Sequence, residues 1–240
     1  MTTLRIALPA VLSLLSISAS GVKADSVVMG FDNISANRVA DATTGEAQLS
    51  VTMTDLGFNA SSGRNQVEFR FANSGPNASS ITDVYFDDGT LFGIASISDS
   101  GSGVSFSQGG SPGNLPSGNS LDPDFETSQG FLADSDPPAQ PKGVNPGEWL
   151  AIVFDLLPAK TFQHVKAALL NPDPSQGDSL RIGIHVQGFN RGGSEAFVNT
   201  PPEDEPGTPS SVPEPSSIAL LSIASLGIMG YPLRRRRKPE

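Results

Sequence analysis

Short runs of alternating apolar and polar residues constrain the fold of this chain more than any other feature of its sequence. Three runs show this two-residue period, namely residues 47–54, 66–72 and 180–186. Successive side chains of a strand point to opposite faces, so each of these runs predicts a strand with one buried and one exposed face. Residues 81–86 and 91–97 are two further short runs that predict strands because turn residues end them. Turn residues such as those at 87–89 separate the runs. We therefore predict an all-β domain, an antiparallel β-sandwich or its jelly-roll variant, with at most one short helix.

Two further segments depart from the alternation. Residues 148–157 are almost continuously apolar around Trp149, which is typical of a central strand that is buried on both faces. In residues 161–170 the apolar side chains follow helical spacing, and Thr161 can cap the first turn. We expect the short helix here.

A long segment between the predicted strands, residues 109–146, is rich in Gly, Pro, Ser, Asn and Asp. Loops of this length inside a domain are usually binding elements or covers for a sheet edge, or they contain a short strand. Residues 125–132 are where such a strand would lie.

The charge of the chain between its two ends is strongly negative. Residues 25–215 contain 24 acidic and eight basic residues, a formal charge of −16. Nucleic acids and anionic membrane surfaces would be repelled by such a domain, so we exclude both as partners. The chain also has no cysteine. Stability must therefore come from packing without disulfides.

Catalytic and metal-binding side chains are scarce in this region. The chain has two histidines, His164 and His185, and without cysteine it lacks the ligands and nucleophiles of zinc or thiol sites. His185 falls on the polar side of its predicted strand, together with Arg181 and Gln187. We expect a solvent-exposed histidine, no cofactor and no enzyme activity.

Closely spaced acids in the long segment are the remaining candidates for a site. They are Asp122, Asp124, Glu126, Asp134 and Asp136. Carboxylate oxygens at this spacing could bind Ca²⁺, although the glycine and distal glutamate of an EF-hand loop are missing. The alternative is that they keep the loop soluble, and we expect no metal site.

The N-terminus has the pattern of a secretory signal peptide. Arg5 precedes an apolar run over residues 6–17, and small residues lead up to Ala24. We assign residues 1–24 to the signal and place cleavage by signal peptidase after Ala24.

The C-terminus combines three ordered features. An apolar stretch at 218–233 could form a helix of about 24 Å, marginal for a hydrocarbon core of about 30 Å. We predict a transmembrane helix over 216–233. A Pro-rich motif precedes it, formed by Val212, Pro213, Glu214 and Pro215, and a basic block follows it, formed by Arg234, Arg235, Arg236, Arg237 and Lys238. The basic block keeps this end in the cytoplasm, so the domain lies outside.

These C-terminal features resemble the sorting signal of the PEP-CTERM family. The resemblance implies export across the inner membrane, transient anchoring there, and processing near Pro213–Pro215 by an exosortase-type enzyme. Such proteins accompany exopolysaccharide production. The chain is then organised as a signal at 1–24, a β-sandwich at 25–199, a Pro-rich acidic tether at 200–211 and a sorting segment at 212–240.

Three functions follow as hypotheses. The first is a non-enzymatic protein of the cell envelope, outer surface or extracellular matrix that contacts exopolysaccharide in a biofilm. The second is a carbohydrate-active enzyme using acids such as Asp124 and Asp134, or a calcium-dependent carbohydrate-binding module. Ice binding is the third, but it needs a flat regular array and the sequence offers only the pair Thr52 and Thr54.

Overall fold

The structure is a computed structural model that describes residues 24–101, 103–110, 113–128, 132–171 and 178–202. Within these ranges eleven strands form two antiparallel sheets. The strands are β1 Ser26–Met29, β2 Phe31–Asn33, β3 Leu49–Asn59, β4 Arg64–Asn73, β5 Ser80–Asp88, β6 Leu91–Asp99, β7 Phe106–Gln108, β8 Leu132–Ser135, β9 Trp149–Leu156, β10 Leu180–Gln187 and β11 Ser194–Asn199. The helices are α1 Val39–Gln48, α2 Ala139–Lys142 and α3 Phe162–Leu170, with a 3₁₀ turn at Gly118–Ser120.

Sheet A has five strands in the order β1, β3, β4, β9, β6, and sheet B has six in the order β2, β11, β10, β5, β8, β7. The two sheets face each other across one apolar core, because inward side chains of both belong to a single cluster of buried residues. Phe86 of sheet B lies 5.2 Å from Phe69 and 4.7 Å from Phe154 of sheet A, measured between ring centroids. Tilted and edge-on contacts of this kind favour aromatic rings. The predicted all-β architecture is confirmed as two antiparallel sheets with few helices.

The runs predicted as strands coincide with strands, but some boundaries differ. Residues 66–72, 81–86, 91–97 and 180–186 lie inside β4, β5, β6 and β10. β5 continues through Asp88, so residues 87 and 88, predicted as a turn, belong to the strand. Residues 125–128 are not a strand, and β8 begins at Leu132.

The expectation of at most one short helix is wrong, since the described residues contain three. α1 ends at Gln48, so the strand predicted from residue 47 begins at Leu49. α1 has no apolar stripe, so its position depends on contacts with distant parts of the chain. The carboxylate of Glu195, 1 % exposed, accepts hydrogen bonds from the N–H groups of Asn37 and Arg38 at the start of the helix. Anionic groups stabilise helix N-termini in this way.

The predicted helix at 161–170 is confirmed as α3. Nδ1 of His164 accepts a hydrogen bond from the N–H of Thr161 at 3.2 Å, which caps the first turn. The buried apolar positions join the core between the sheets, and they are Phe162, Val165, Ala168 and Leu169. Helical spacing of the apolar residues was sufficient to find this element.

β9 lies between β4 and β6, as a central strand should, but only part of it is buried on both faces. Leu150, Ile152 and Phe154 enter the core, whereas Trp149 is half-buried on the outer face of sheet A. The prediction of a strand buried on both faces is therefore wrong at Trp149.

Both predicted terminal segments, the signal at 1–24 and the helix at 216–233, lie outside the described residues except for Ala24. Among the residues that are described, no helix has both the length and the apolar character needed to cross a bilayer.

Candidate functional site

The long loop lies against the outer face of sheet B. Leu115 and Phe125, each 4 % exposed, pack with Tyr85 in a small apolar cluster that is separate from the core between the sheets. Gly183 of β10 leaves the space that they fill. A Cβ atom at this position would lie 2.7 Å from Leu115 Cδ2 and 3.2 Å from Phe125 Cζ. The loop segment 113–128 is thus docked by apolar anchors.

An ion pair between the buried Arg181 of β10 and the partly buried Asp87 of β5 fixes the same loop. The guanidinium donates hydrogen bonds to the backbone oxygens of Pro123 at 2.7 Å and Asp124 at 2.6 Å. The N–H of Glu126 donates to Asp87 Oδ2 at 3.3 Å. Charge-assisted hydrogen bonds are stronger than neutral ones, so this pair holds the loop backbone in place.

The docked loop forms an open cleft of about 570 Å³. The cleft is lined by Asn114, Leu115, Asn119, Asp124, Phe125, Glu126 and Thr127. Two amides and two carboxylates in this set are exposed to solvent, while the two apolar residues are the anchors beneath them. Neither carboxylate pairs with a cation among the described residues. The cleft therefore offers hydrogen-bond donors and acceptors on a fixed backbone, which suits a ligand rich in hydroxyl groups.

The five carboxylates that the sequence singled out occupy different places. Asp124 and Glu126 line the cleft, and Asp122 is exposed on the same loop. Asp134 lies on β8 in cross-strand register with Asp83 of β5. The described residues contain no group of three or more His, Cys, Asp or Glu side chains that could share a metal ion.

Asp136 has a role of its own. Its carboxylate accepts hydrogen bonds from the hydroxyl groups of Ser105 at 2.7 Å and Ser107 at 2.9 Å. These two bonds lower the pKa of Asp136 below its usual value, with Lys142 adding a smaller effect in the same direction. The carboxylate thereby joins the segment before β7 to the end of β8.

The prediction of a solvent-exposed His185 is wrong. The side chain of His185 is 12 % exposed, and its Nδ1 lies 3.0 Å from Oδ2 of the buried Asp83. Burial raises the pKa of the neighbouring Tyr85 hydroxyl far above its usual value, and the charges of Asp83 and Asp134 raise it further. The polar side of β10 is thus largely buried, and the loop is one of the segments that shield it from solvent.

Sequence reasoning missed Arg181, Asp87 and Gly183 as residues that hold the site. Arg181 and Asp87 are cross-strand partners in the register of β10 with β5. The one available signal was a glycine inside a strand, which often marks a close approach by another part of the chain. The register that pairs the two charges could not be read from either strand alone.

Comparison with known proteins gave one result. The family model for the PEP-CTERM protein-sorting motif matches residues 211–238. No curated protein and no solved structure matched the chain significantly. The match contains the Pro-rich motif, the apolar stretch and the basic block that the sequence analysis identified. The chain therefore carries a PEP-CTERM sorting motif, the signature of an exported protein that exosortase sorts to the cell envelope.

Proposed function

We propose that the β-sandwich is a non-enzymatic component of the cell envelope or extracellular matrix that binds polysaccharide in the loop cleft. The observation that carries the proposal is the cleft itself, with exposed amides and carboxylates on a backbone held by Arg181. Sugars present many hydroxyl groups that both donate and accept hydrogen bonds, so a sugar-binding cleft must offer acceptors and donors in return.

Fixation of the loop supports binding in energetic terms. Ordering a flexible loop on binding costs conformational entropy, and this cost lowers affinity. Here the anchors Leu115 and Phe125 are already buried, and the Arg181 guanidinium already bonds the backbone at 123 and 124. This part of the loop is therefore already ordered in the folded protein, and the ligand does not have to offset the entropy of ordering it.

Delivery follows from the sorting motif. We infer that signal peptidase cleaves after Ala24, that a helix at 216–233 anchors the chain transiently in the inner membrane, and that Arg234–Arg237 and Lys238 stay in the cytoplasm. An exosortase-type enzyme then processes the chain near Pro213–Pro215. Intact-mass measurement of the protein from its native host reports both cleavages, and a mass that retains the basic block would contradict the processing step.

Polysaccharide binding is tested by retention on purified exopolysaccharide or cell envelope. The exported protein should be retained and the polymer should keep its length. Asn119→Ala and Asp124→Asn should each reduce retention several-fold, because each removes a group from the cleft wall. Asp32→Asn, at an exposed position on β2 of the same sheet, is the matched control and should leave retention unchanged. Equal losses in all three variants would contradict binding in the cleft.

A carbohydrate-active enzyme is the second candidate, and the cleft would then supply Asp124 and Glu126 as its acids. Asp134, the other acid considered from the sequence, lies on β8 and does not line the cleft. Asp124 and Glu126 are two residues apart on one segment, whereas glycosidases place their two carboxyl groups on opposite sides of the scissile bond. Release of reducing ends from the polymer, abolished by Asp124→Asn, would establish the enzyme and overturn the non-enzymatic proposal.

A calcium-dependent binding module makes a different prediction. Retention would then require Ca²⁺ and disappear in a chelator, and Ca²⁺ would raise the Tm because it binds the folded state. We expect neither effect.

A further inference from the structure

The outer face of sheet A presents a second constellation that the loop cleft does not use. Trp149, the only tryptophan of the chain, lies half-buried on this face. The guanidinium of Arg70 is stacked over its ring, 3.6 Å from the ring centroid. Arg70 is on β4 and Trp149 on β9, and the two are diagonal neighbours, since Arg70 pairs with Ala151 and Trp149 with Ala72. Stacking fixes the plane of the guanidinium.

Stacking leaves the hydrogen-bonding edge of Arg70 unused. None of the described residues accepts a hydrogen bond from it or forms an ion pair with it. A guanidinium has five N–H donors in its plane, arranged to bind both oxygens of a carboxylate, and stacking on an aromatic ring does not block them. The guanidinium of Arg70 is therefore a cationic group in a fixed plane, which we call the fork, and no acidic side chain among the described residues pairs with it.

The surroundings of the Arg70 guanidinium carry hydroxyl groups, and Glu68 is the one neighbouring acid on β4. Ser50, Thr52 and Ser98 lie on the same face at neighbouring register positions, and their hydroxyls have no hydrogen bond to any described residue. Glu68 precedes Arg70 by two residues on the same face, but the side chain of Arg70 extends in the other direction, towards Trp149. A carboxylate placed at the fork would meet hydroxyls and an aromatic ring.

We propose that Arg70 and Trp149 form a binding site for a uronate, a sugar ring that carries a carboxylate. The carboxylate pairs with the guanidinium edge, the ring hydroxyls meet the Ser and Thr side chains, and the apolar ring edge lies against Trp149. This charge complementarity selects the ligand. A neutral sugar leaves the fork unsatisfied, and a plain carboxylate leaves the hydroxyl side chains without partners.

The net charge of the domain further restricts the class of saccharide that can bind. The region 25–215 carries −16, so a polymer with a carboxylate on every ring would be repelled as a whole. A single carboxylate between neutral sugars is affected much less, because charges beyond about 8 Å are screened at physiological ionic strength. The site therefore takes a uronate that is flanked by neutral sugars.

The experiment measures binding of a tetrasaccharide with one glucuronate and three neutral hexoses to the exported protein by calorimetry. The matched ligand is the same tetrasaccharide with its carboxyl group reduced to an alcohol. We expect the acid to bind about 10-fold to 100-fold more tightly than the reduced form, the range for hydrogen bonds to a charged group. Arg70→Gln should remove this difference, and Trp149→Leu should weaken acid binding several-fold.

Arg64→Gln is the matched control. Arg64 lies on the same strand and is also stacked on an aromatic ring, 3.8 Å from the Phe92 centroid, but its Nη1 already donates to the backbone oxygen of Leu156. This variant should bind both tetrasaccharides like the unmodified protein. Equal affinity for the two tetrasaccharides, or an equal loss in the Arg64 and Arg70 variants, would overturn the proposal.

Two competitors test the ligand class. A homopolymer of uronate should compete less well per carboxylate than the mixed tetrasaccharide, and a glutamate-rich peptide should compete weakly. Stronger competition by either would overturn this choice of ligand. The affinity difference between the two tetrasaccharides is predicted to depend on Arg70, whereas retention on the polymer is predicted to depend on the cleft, so failure of the loop-cleft proposal and failure of this one are distinguishable.

Discussion

Arg181→Met should release the long loop and destabilise the domain. The substitution removes the ion pair with Asp87 and the donors to the backbone oxygens at 123 and 124. Methionine fills a similar volume, so the change concerns charge more than packing. The side chain of Asp87 is 17 % exposed and would lose its cation, and among the described residues only the N–H of Glu126 would still donate to it.

Removing one partner of a buried ion pair typically costs about 3–5 kcal/mol. The loss here is limited by the free energy of loop docking, since a released loop lets water reach the orphaned groups. That docking free energy depends mainly on Leu115 and Phe125, whose burial contributes about 1.5–3 kcal/mol each. We therefore expect a loss of about 3–5 kcal/mol, which corresponds to a fall in Tm of roughly 6–20 °C for a domain of this size.

Urea unfolding and limited proteolysis measure the two consequences. The free energy of unfolding should fall by the amount given above, and new cleavage should appear within residues 113–128. The double variant Arg181→Met with Asp87→Leu should recover at least half of the loss, because no buried charge is left unpaired. A single variant with unchanged stability and an uncleaved loop would refute the reasoning. So would a double variant less stable than the single one.

Three further predictions concern the loop and two titrating groups. Gly183→Val should undock the loop, seen as faster amide exchange in 113–128, because its side chain takes the space of the two apolar anchors. Replacing Ser105 and Ser107 by alanine should raise the pKa of Asp136 in a carboxyl NMR titration. The lowered pKa stabilises the fold above the unfolded value near pH 4, and this contribution is lost as pH falls through the folded pKa, so the variant should be less sensitive to acid. Burial raises the pKa of Tyr85, so stability should decline above about pH 10, where the unfolded chain releases this proton, and Tyr85→Phe should reduce that decline.

Much of the sandwich could be predicted because strand alternation is a local property. In β4, Val67, Phe69 and Phe71 face the core and Arg70 faces outward, as the two-residue period requires. The missed helix α1 shows the limit of this reasoning. Gly45 lies directly against the ring of Phe197, and Glu195 caps the helix from β11, so its partners are about 150 residues away in sequence.

The site was less predictable for a related reason. Alternation correctly placed Arg181 and His185 on the polar side of β10, but it could not reveal that residues 113–128 cover that side. A polar face covered by a loop and one exposed to water have the same sequence pattern. For Trp149 the sequence pattern predicts too much burial. A large apolar residue in an apolar run is typical of the core, but Trp149 lies half-buried on the outer face of sheet A, with Arg70 stacked on it.

The sorting motif and the domain differ in the kind of information that specifies them. The sorting motif at residues 211–238 is defined by a linear order of proline, apolar and basic residues, so the sequence alone is sufficient to identify it. A binding site is read by its ligand in three dimensions, and here each surface depends on cross-strand register. Arg181 and Asp87 meet because β10 and β5 pair in one register, and Arg70 reaches Trp149 because β4 and β9 pair in another. A one-residue slip in either pairing would move the charged side chains to the core face and abolish the surface, while the export signal would stay intact.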